Sequence, residues 1–254
     1  MQFKGKTALV TGAAGGIGSA VARAFAAGGA NIVAADMGNA DATVEAARAG
    51  GVQAIGVQLD VTDPASITAM VRQAVARFGG IDILVTAAGV TGFGSAATLA
   101  TQEWDRILDI NLKGVFLTCQ AVIEPMRKRG SGRIINIGSI LAKNGGNARP
   151  WIAPEEQTRS GSVAYGVSKA GVHAMTLYLA RELAASAITV NAVAPGPIAS
   201  AMTATFPEAL KQVIPLNRLG TADEVAAAVL FLAGSSASFI TGEILDVNGG
   251  MWAD

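Results

Sequence analysis

A chain of 254 residues has room for one large α/β domain or two small ones. Lysine plus arginine and aspartate plus glutamate number 19 each, so no bulk charge draws the protein to nucleic acid or to an anionic membrane. The composition is 51% apolar, yet no apolar run reaches the roughly 18 to 20 residues that cross a bilayer, and the single cysteine excludes an intrachain disulfide.

In chain order, Met1 to Lys6 show no signal-peptide pattern and lead into a first strand at residues 7–10. Next comes a glycine-rich turn, Thr11-Gly12-Ala13-Ala14-Gly15-Gly16-Ile17-Gly18, that opens a helix over 18–27. A strand at 32–35 ends on Asp36, a helix covers 41–49, and a third strand, 52–59, ends on Asp60 and Val61. Thr62, Asp63 and Pro64 are helix-start chemistry for a helix over 66–78. A strand at 81–85 precedes a long helix at 102–129 that holds Asn111 and Cys119, the latter among apolar neighbours that predict packing. A strand at 133–137 is followed by Ser139, and residues 143–162, rich in Gly, Asn, Pro and charge, form a surface excursion. The remainder reads as a helix at 163–185, a strand at 189–193, a helix at 222–233 opened by a Thr221–Glu224 capping box, and a strand at 244–247. Strands alternate with helices, and most are uninterrupted β-branched runs. The reading is therefore one α/β domain over residues 1–254, a doubly wound, Rossmann-type parallel sheet of about seven strands with helices on both faces.

Two ends of a site follow from that frame. The turn containing Gly12, Gly15, Gly16, Ile17 and Gly18 lies in the first strand–helix unit, where backbone approaches a pyrophosphate and the helix start offers free N–H groups. Its spacing is not G-x-G-x-x-G, and a glycine turn alone also merely ends a strand. Asp36 stands where a carboxylate accepts from an adenosine ribose, or else serves as a turn or cap residue. With no Lys or Arg in residues 11–18 or 36–40 to neutralise a further phosphate, NAD(H) is expected over NADP(H). Asp60 either meets the adenine edge or caps a helix. At the other end, Tyr165 and Lys169 are four residues apart on one helix face, and an ammonium beside a phenol favours phenolate. Ser139 sits after a strand at the carboxyl edge of the sheet, as a substrate-holding hydroxyl or a turn residue, and Asn111 is a polar residue in an apolar helix whose amide needs partners. His173, four residues past Lys169, reads as packing or subunit contact, and no cluster has metal-ligand spacing.

Taken together, the 11–18 turn, Ala87-Ala88-Gly89, Asn111, Ser139, Tyr165 to Lys169 and Pro195-Gly196 resemble the short-chain dehydrogenase/reductase family, closest in layout to its 3-oxoacyl-[acyl-carrier-protein] reductase-like subgroup. The resemblance runs from Lys6 to Gly250. It implies that Tyr165 is the general acid/base, that Lys169 lowers its pKa and holds the nicotinamide ribose, that Ser139 orients the substrate carbonyl, and that Asn111 anchors a relay water. It also implies cofactor contacts at Val61, Ala88, Gly89, Pro195, Gly196, Ile198 and Ser200. Two departures stand out. Thr86-Ala87 replaces the usual Asn-Asn, so hydrogen bonding after the fourth strand must differ, and Ser139 lies 26 positions before Tyr165, about twice the usual separation. The extra residues are assigned to an insertion at 143–162, walling the substrate pocket or covering a neighbouring subunit, and residues 201–219 form a short apolar lid. Ile140, Trp151, Met202 and Phe206 are the substrate-contact candidates. The implied protein is a cytoplasmic, metal-independent homotetramer that interconverts a secondary alcohol and a ketone, the short lid suiting either a small alcohol or an extended chain. The alternatives are an NADPH-dependent 3-oxoacyl-thioester reductase and, from another class, a nucleotide-sensing protein without turnover.

Overall fold

The computed structural model describes residues 1–146, 155, 162–199 and 211–253. Seven strands form one parallel sheet: β1 (Thr7–Thr11), β2 (Asn31–Asp36), β3 (Ala54–Gln58), β4 (Ile83–Thr86), β5 (Gly132–Ile137), β6 (Ile188–Pro195) and β7 (Ile244–Val247). Their spatial order is β3-β2-β1-β4-β5-β6-β7. The order reverses between β1 and β4, and open α/β sheets bind ligands outside the carboxyl ends of the strands at such a switch point. Register is continuous across the switch: Leu9 pairs with Val33 on one side and Leu84 on the other.

Alternate residues of each central strand go to opposite faces, and each face is sealed by helices. Ala8, Val10, Ala34, Val85, Ile135 and Val193 pack with α1 (Gly16–Ala27), α2 (Asp41–Ala49) and the late helix α7 (Ala222–Ala233). Leu9, Val33, Leu84, Ile134 and Val190 pack with α3 (Pro64–Phe78), α5 (Gly114–Arg129) and α6 (Val163–Leu183). Fully burying one such Leu or Ile contributes about 1.5–3 kcal/mol, so the two-faced core dominates the stabilisation. The expected caps form: Asp63 accepts from the N–H groups of Ala65 and Ser66, and Thr221 and Glu224 make the reciprocal box at α7.

One expected helix is altered. The stretch at 102–129 runs as α4 (Thr101–Leu108), a widened π turn (Asp109–Lys113) and then α5. Gly114 is pressed against Val61, whose carbonyl oxygen would lie 2.9 Å from any added Cβ. Such widened turns inside helices are frequent at functional sites, and this one carries Asn111. The helix at 163–185 is shorter than expected, closing at Leu183 into a single 3-10 turn, because Ala187 turns left-handed before β6. Among the described residues, no helix is long and apolar enough to cross a membrane.

Candidate active site

The glycine turn is built by close approach. Gly12 has φ +69°, and an added Cβ would lie 2.6 Å from the Ala88 nitrogen and 2.7 Å from the Ala87 carbonyl, both beyond the end of β4. Gly18 presses equally hard on the Gly12 carbonyl oxygen. The Ala88 N–H donates to Thr11 Oγ1 at 3.2 Å and fastens the two strand ends across the switch point. No side chain caps the start of α1 at Gly15, which leaves its first N–H groups facing the turn. A backbone cradle that a Cβ would fill, ahead of an uncapped helix start, fits a dinucleotide pyrophosphate.

Asp36 is placed differently from its sequence reading. Its Oδ2 accepts the Ala14 N–H at 2.9 Å and its Oδ1 accepts the Gly38 N–H at 2.8 Å. The carboxylate thus shapes the glycine turn itself. Asp60 Oδ1 accepts both the N–H and the hydroxyl of Thr62, at 2.8 and 2.7 Å, and these bonds hold its carboxyl below the usual range. Asp60 thus shapes the turn ahead of α3, whose cap is Asp63 and not Asp60.

On the catalytic side, Ser139 follows β5, and Tyr165, Lys169 and His173 rise along one face of α6. Lys169 Nζ is buried, donates to the Ile137 carbonyl at 2.8 Å and lies 5.8 Å from the centre of the Tyr165 ring. Burial pushes the Tyr165 phenol above its ordinary value, and a hydrogen bond with the Ser139 hydroxyl pulls it part of the way back. Tyr165 therefore keeps its proton at neutral pH, whereas the resemblance implied a lowered value. Ser139 Oγ is oriented from behind by the Leu141 N–H at 3.1 Å.

Burial lowers the Lys169 ammonium to about 8. Because the folded value lies below the unfolded one, folding carries the full cost of burying this charge below about pH 8. Between about pH 8 and 10.4 the unfolded chain binds more protons than the folded chain, so stability rises with pH, by about 3 kcal/mol for this group over the window. Lys169→Met removes that dependence. The melting temperature of the variant minus that of the wild type should be more favourable at pH 7 than at pH 10; a difference that is flat across this range would contradict the buried charge.

Asn111 is wholly buried, and its amide is satisfied within the protein. Its Oδ1 accepts the Val90 N–H at 2.8 Å, and its Nδ2 donates to the Val90 carbonyl at 2.8 Å and to Ser168 Oγ at 3.2 Å. Ser168 in turn donates to the Tyr165 carbonyl at 2.7 Å. Asn111 thereby ties the loop after β4 to α6, a task other than holding a relay water. Gly89 completes the convergence, since a Cβ there would lie 3.2 Å from Asn111 Oδ1 and 3.7 Å from Lys169 Nζ. Below them, the Thr86 hydroxyl donates to Asn136 Oδ1 at 2.8 Å, and Asn136 Nδ2 donates to Thr176 Oγ1 at 3.0 Å.

Of the other expected contacts, Val61 is buried against Gly114, and Pro195 ends β6 and accepts the Ile140 N–H. The Gly196 N–H donates to Val247, and Ile198 bridges to Gly220. Ile140 itself is only 3% exposed. Ser200, Trp151, Met202 and Phe206 lie outside the described residues, as do most of the expected insertion and half of the expected lid. Cys119 is buried with its thiol pushed up to about 12, so it packs and does not react. No metal-binding cluster occurs among the described residues. Ser168 escaped the sequence reading, adjacency to Lys169 being the only signal, and His173, read as packing or subunit contact, turns its ring inward to Gly138 and Ser139.

A seven-stranded parallel sheet with a Ser–Tyr–Lys cluster at its carboxyl edge defines a hydride-transferring oxidoreductase acting on CH–OH and keto groups. The family described as enoyl-(acyl carrier protein) reductase matches residues 12–252, and the chain belongs to the short-chain dehydrogenase/reductase family. It is 41% identical to the 3-oxoacyl-[acyl-carrier-protein] reductase FabG of Escherichia coli (strain K12) over 258 aligned positions, covering 99% of each. A solved structure from Agrobacterium tumefaciens with bound NADP is 34% identical, with TM-score 0.87 and coverage of 98% of this chain and 97% of that one. A blue fluorescent protein from a metagenomic library, in complex with NADPH, is 36% identical over 100% of both chains, with TM-score 0.89.

These relatives overturn the expectation of NAD(H). Two similar structures hold NADP or NADPH, and the carboxylate on which the expectation rested is engaged by the Ala14 and Gly38 amides.

Proposed function

We propose that the protein reduces the keto group of a 3-oxoacyl thioester to the 3-hydroxyacyl compound with NADPH as reductant. The observation that carries the reading is the Tyr165 phenol, hydrogen-bonded with Ser139 and with the buried Lys169 Nζ 5.8 Å from the centre of its ring, an arrangement that makes it a general acid for the reductive direction. Full-length similarity to 3-oxoacyl-[acyl-carrier-protein] reductases supports the substrate class. When bound along Gly12 to Gly18 and beside Gly89 and Lys169, the cofactor supplies the hydride. The Ser139 hydroxyl would donate to the keto oxygen and set the carbonyl carbon in place. Tyr165 passes its proton to that oxygen as negative charge develops on it. Lys169, largely protonated at neutral pH with a pKa of about 8, keeps positive charge 5.8 Å from the ring and stabilises the phenolate left behind.

Assembly as a homotetramer belongs to the same proposal. It is supported by the apolar stripe Val163, Val167 and Tyr178 along α6, with Phe116 on α5, and by exposed Phe239 and Trp252 beside β7. Initial rates with an acetoacetyl thioester test the reaction: NADPH should be consumed at least tenfold faster than NADH. Equal or faster rates with NADH would overturn the cofactor assignment, and absence of turnover with either would overturn the substrate class.

A further inference from the structure

The chain has one histidine, and it lies on the helix face that carries Tyr165 and Lys169, at steps of four residues. That face is stitched to the end of β5 and the residues just after it. Lys169 donates to the Ile137 carbonyl, and Thr176 accepts from the Asn136 amide. His173 makes the bond nearest the chemistry, because its Nε2 accepts the main-chain N–H of Ser139 at 3.4 Å. Gly138 has no side chain at the point where the imidazole lies. An added Cβ would overlap Nε2 and come 3.3 Å from the Val193 carbonyl, so the ring is clamped between the helix and the Gly138 backbone. Ser139 is thus held from two sides, its hydroxyl by the Leu141 N–H and its own N–H by His173.

We propose that His173 is a positioning residue: with Nε2 unprotonated, it fixes the backbone at Ser139 and so aims the Ser139 hydroxyl at Tyr165 and the substrate oxygen. The ring nitrogen that accepts this bond carries no hydrogen, so the neutral ring has its proton on Nδ1. In water the neutral histidine ring favours the proton on Nε2, so the tautomer reports the bond. The rate consequence rests on the reduction proposed above; the tautomer does not.

A single histidine makes its ring nitrogens assignable without ambiguity in wild-type protein labelled with nitrogen-15 histidine. At neutral pH, Nε2 should resonate as an unprotonated ring nitrogen and Nδ1 as a protonated one; the reverse assignment would overturn the inference whatever the enzyme's activity. In steady-state kinetics, His173→Leu, which fills similar space without an acceptor, should lower kcat at least tenfold while leaving the KM for NADPH within twofold. His173→Gln, whose amide oxygen can occupy the place of Nε2, should return kcat to within threefold of the wild type. A Leu variant with wild-type kcat would defeat the positioning role. A wild-type chain that reduces no keto thioester would defeat the proposed reaction instead and leave the tautomer to decide the bond.

Discussion

Tyr165→Phe should lower kcat by at least about 10³-fold while NADPH binding, followed by cofactor fluorescence, changes no more than twofold. The substitution removes one oxygen from a half-buried ring and leaves its packing in place. Its neighbours lose little. Ser139 Oγ keeps the Leu141 N–H, and Lys169 keeps the Ile137 carbonyl, so the fold should melt near the wild-type temperature. The reaction, by contrast, loses the phenolic proton held beside Ser139. A variant retaining a tenth of wild-type turnover would remove Tyr165 from the acid role and with it the proposed direction of proton transfer.

What made Tyr165 findable was not its own environment but the order of elements around it. Strands and helices were legible because the sheet is covered on both faces: uninterrupted runs such as Leu84–Val85 and Ile134–Ile135 have no other way to be buried. Ser139 and Tyr165 were legible as positions, one after a strand and one at a helix start, and the topology brings such positions to the same edge. The partner of each polar group was not legible. Asp36 at a strand end can accept from a ribose or from any nearby backbone N–H, and the fold offers it Ala14 and Gly38 at once, so its position alone does not choose the cofactor, and similar structures hold NADP or NADPH. Asn111 was correctly read as an amide in need of partners, but those partners are the Val90 backbone and Ser168, contacts set by a widened helical turn that leaves no periodic trace in the sequence. His173 had apolar neighbours on both sides along the chain, and only the missing side chain at Gly138, 35 positions earlier, gives its ring somewhere to go.

The glycines of the turn divide by what surrounds them, and that division carries the second large prediction. Gly12→Ala places a methyl group 2.6 Å from the Ala88 nitrogen and requires a left-handed backbone at φ +69° from a residue that resists it. The atoms it meets are main chain, so they cannot rotate away, and relief means separating β1 from β4 at the switch point. The expected result is a fall in melting temperature of about 10 °C, equivalent to about 3 kcal/mol in a chain of this size, with NADPH affinity reduced at least tenfold. Gly15 is the control. Its φ of −168° is extended backbone open to any residue, and an added Cβ meets nothing within 4 Å. Gly15→Ala should therefore melt within about 2 °C of the wild type. If the space above Gly15 belongs to a pyrophosphate, the same variant should still raise the KM for NADPH severalfold, a loss of binding without a loss of stability. Wild-type KM in Gly15→Ala would move the phosphate site away from the turn, and wild-type stability in Gly12→Ala would show that the two strand ends are not locked together by the absence of a side chain.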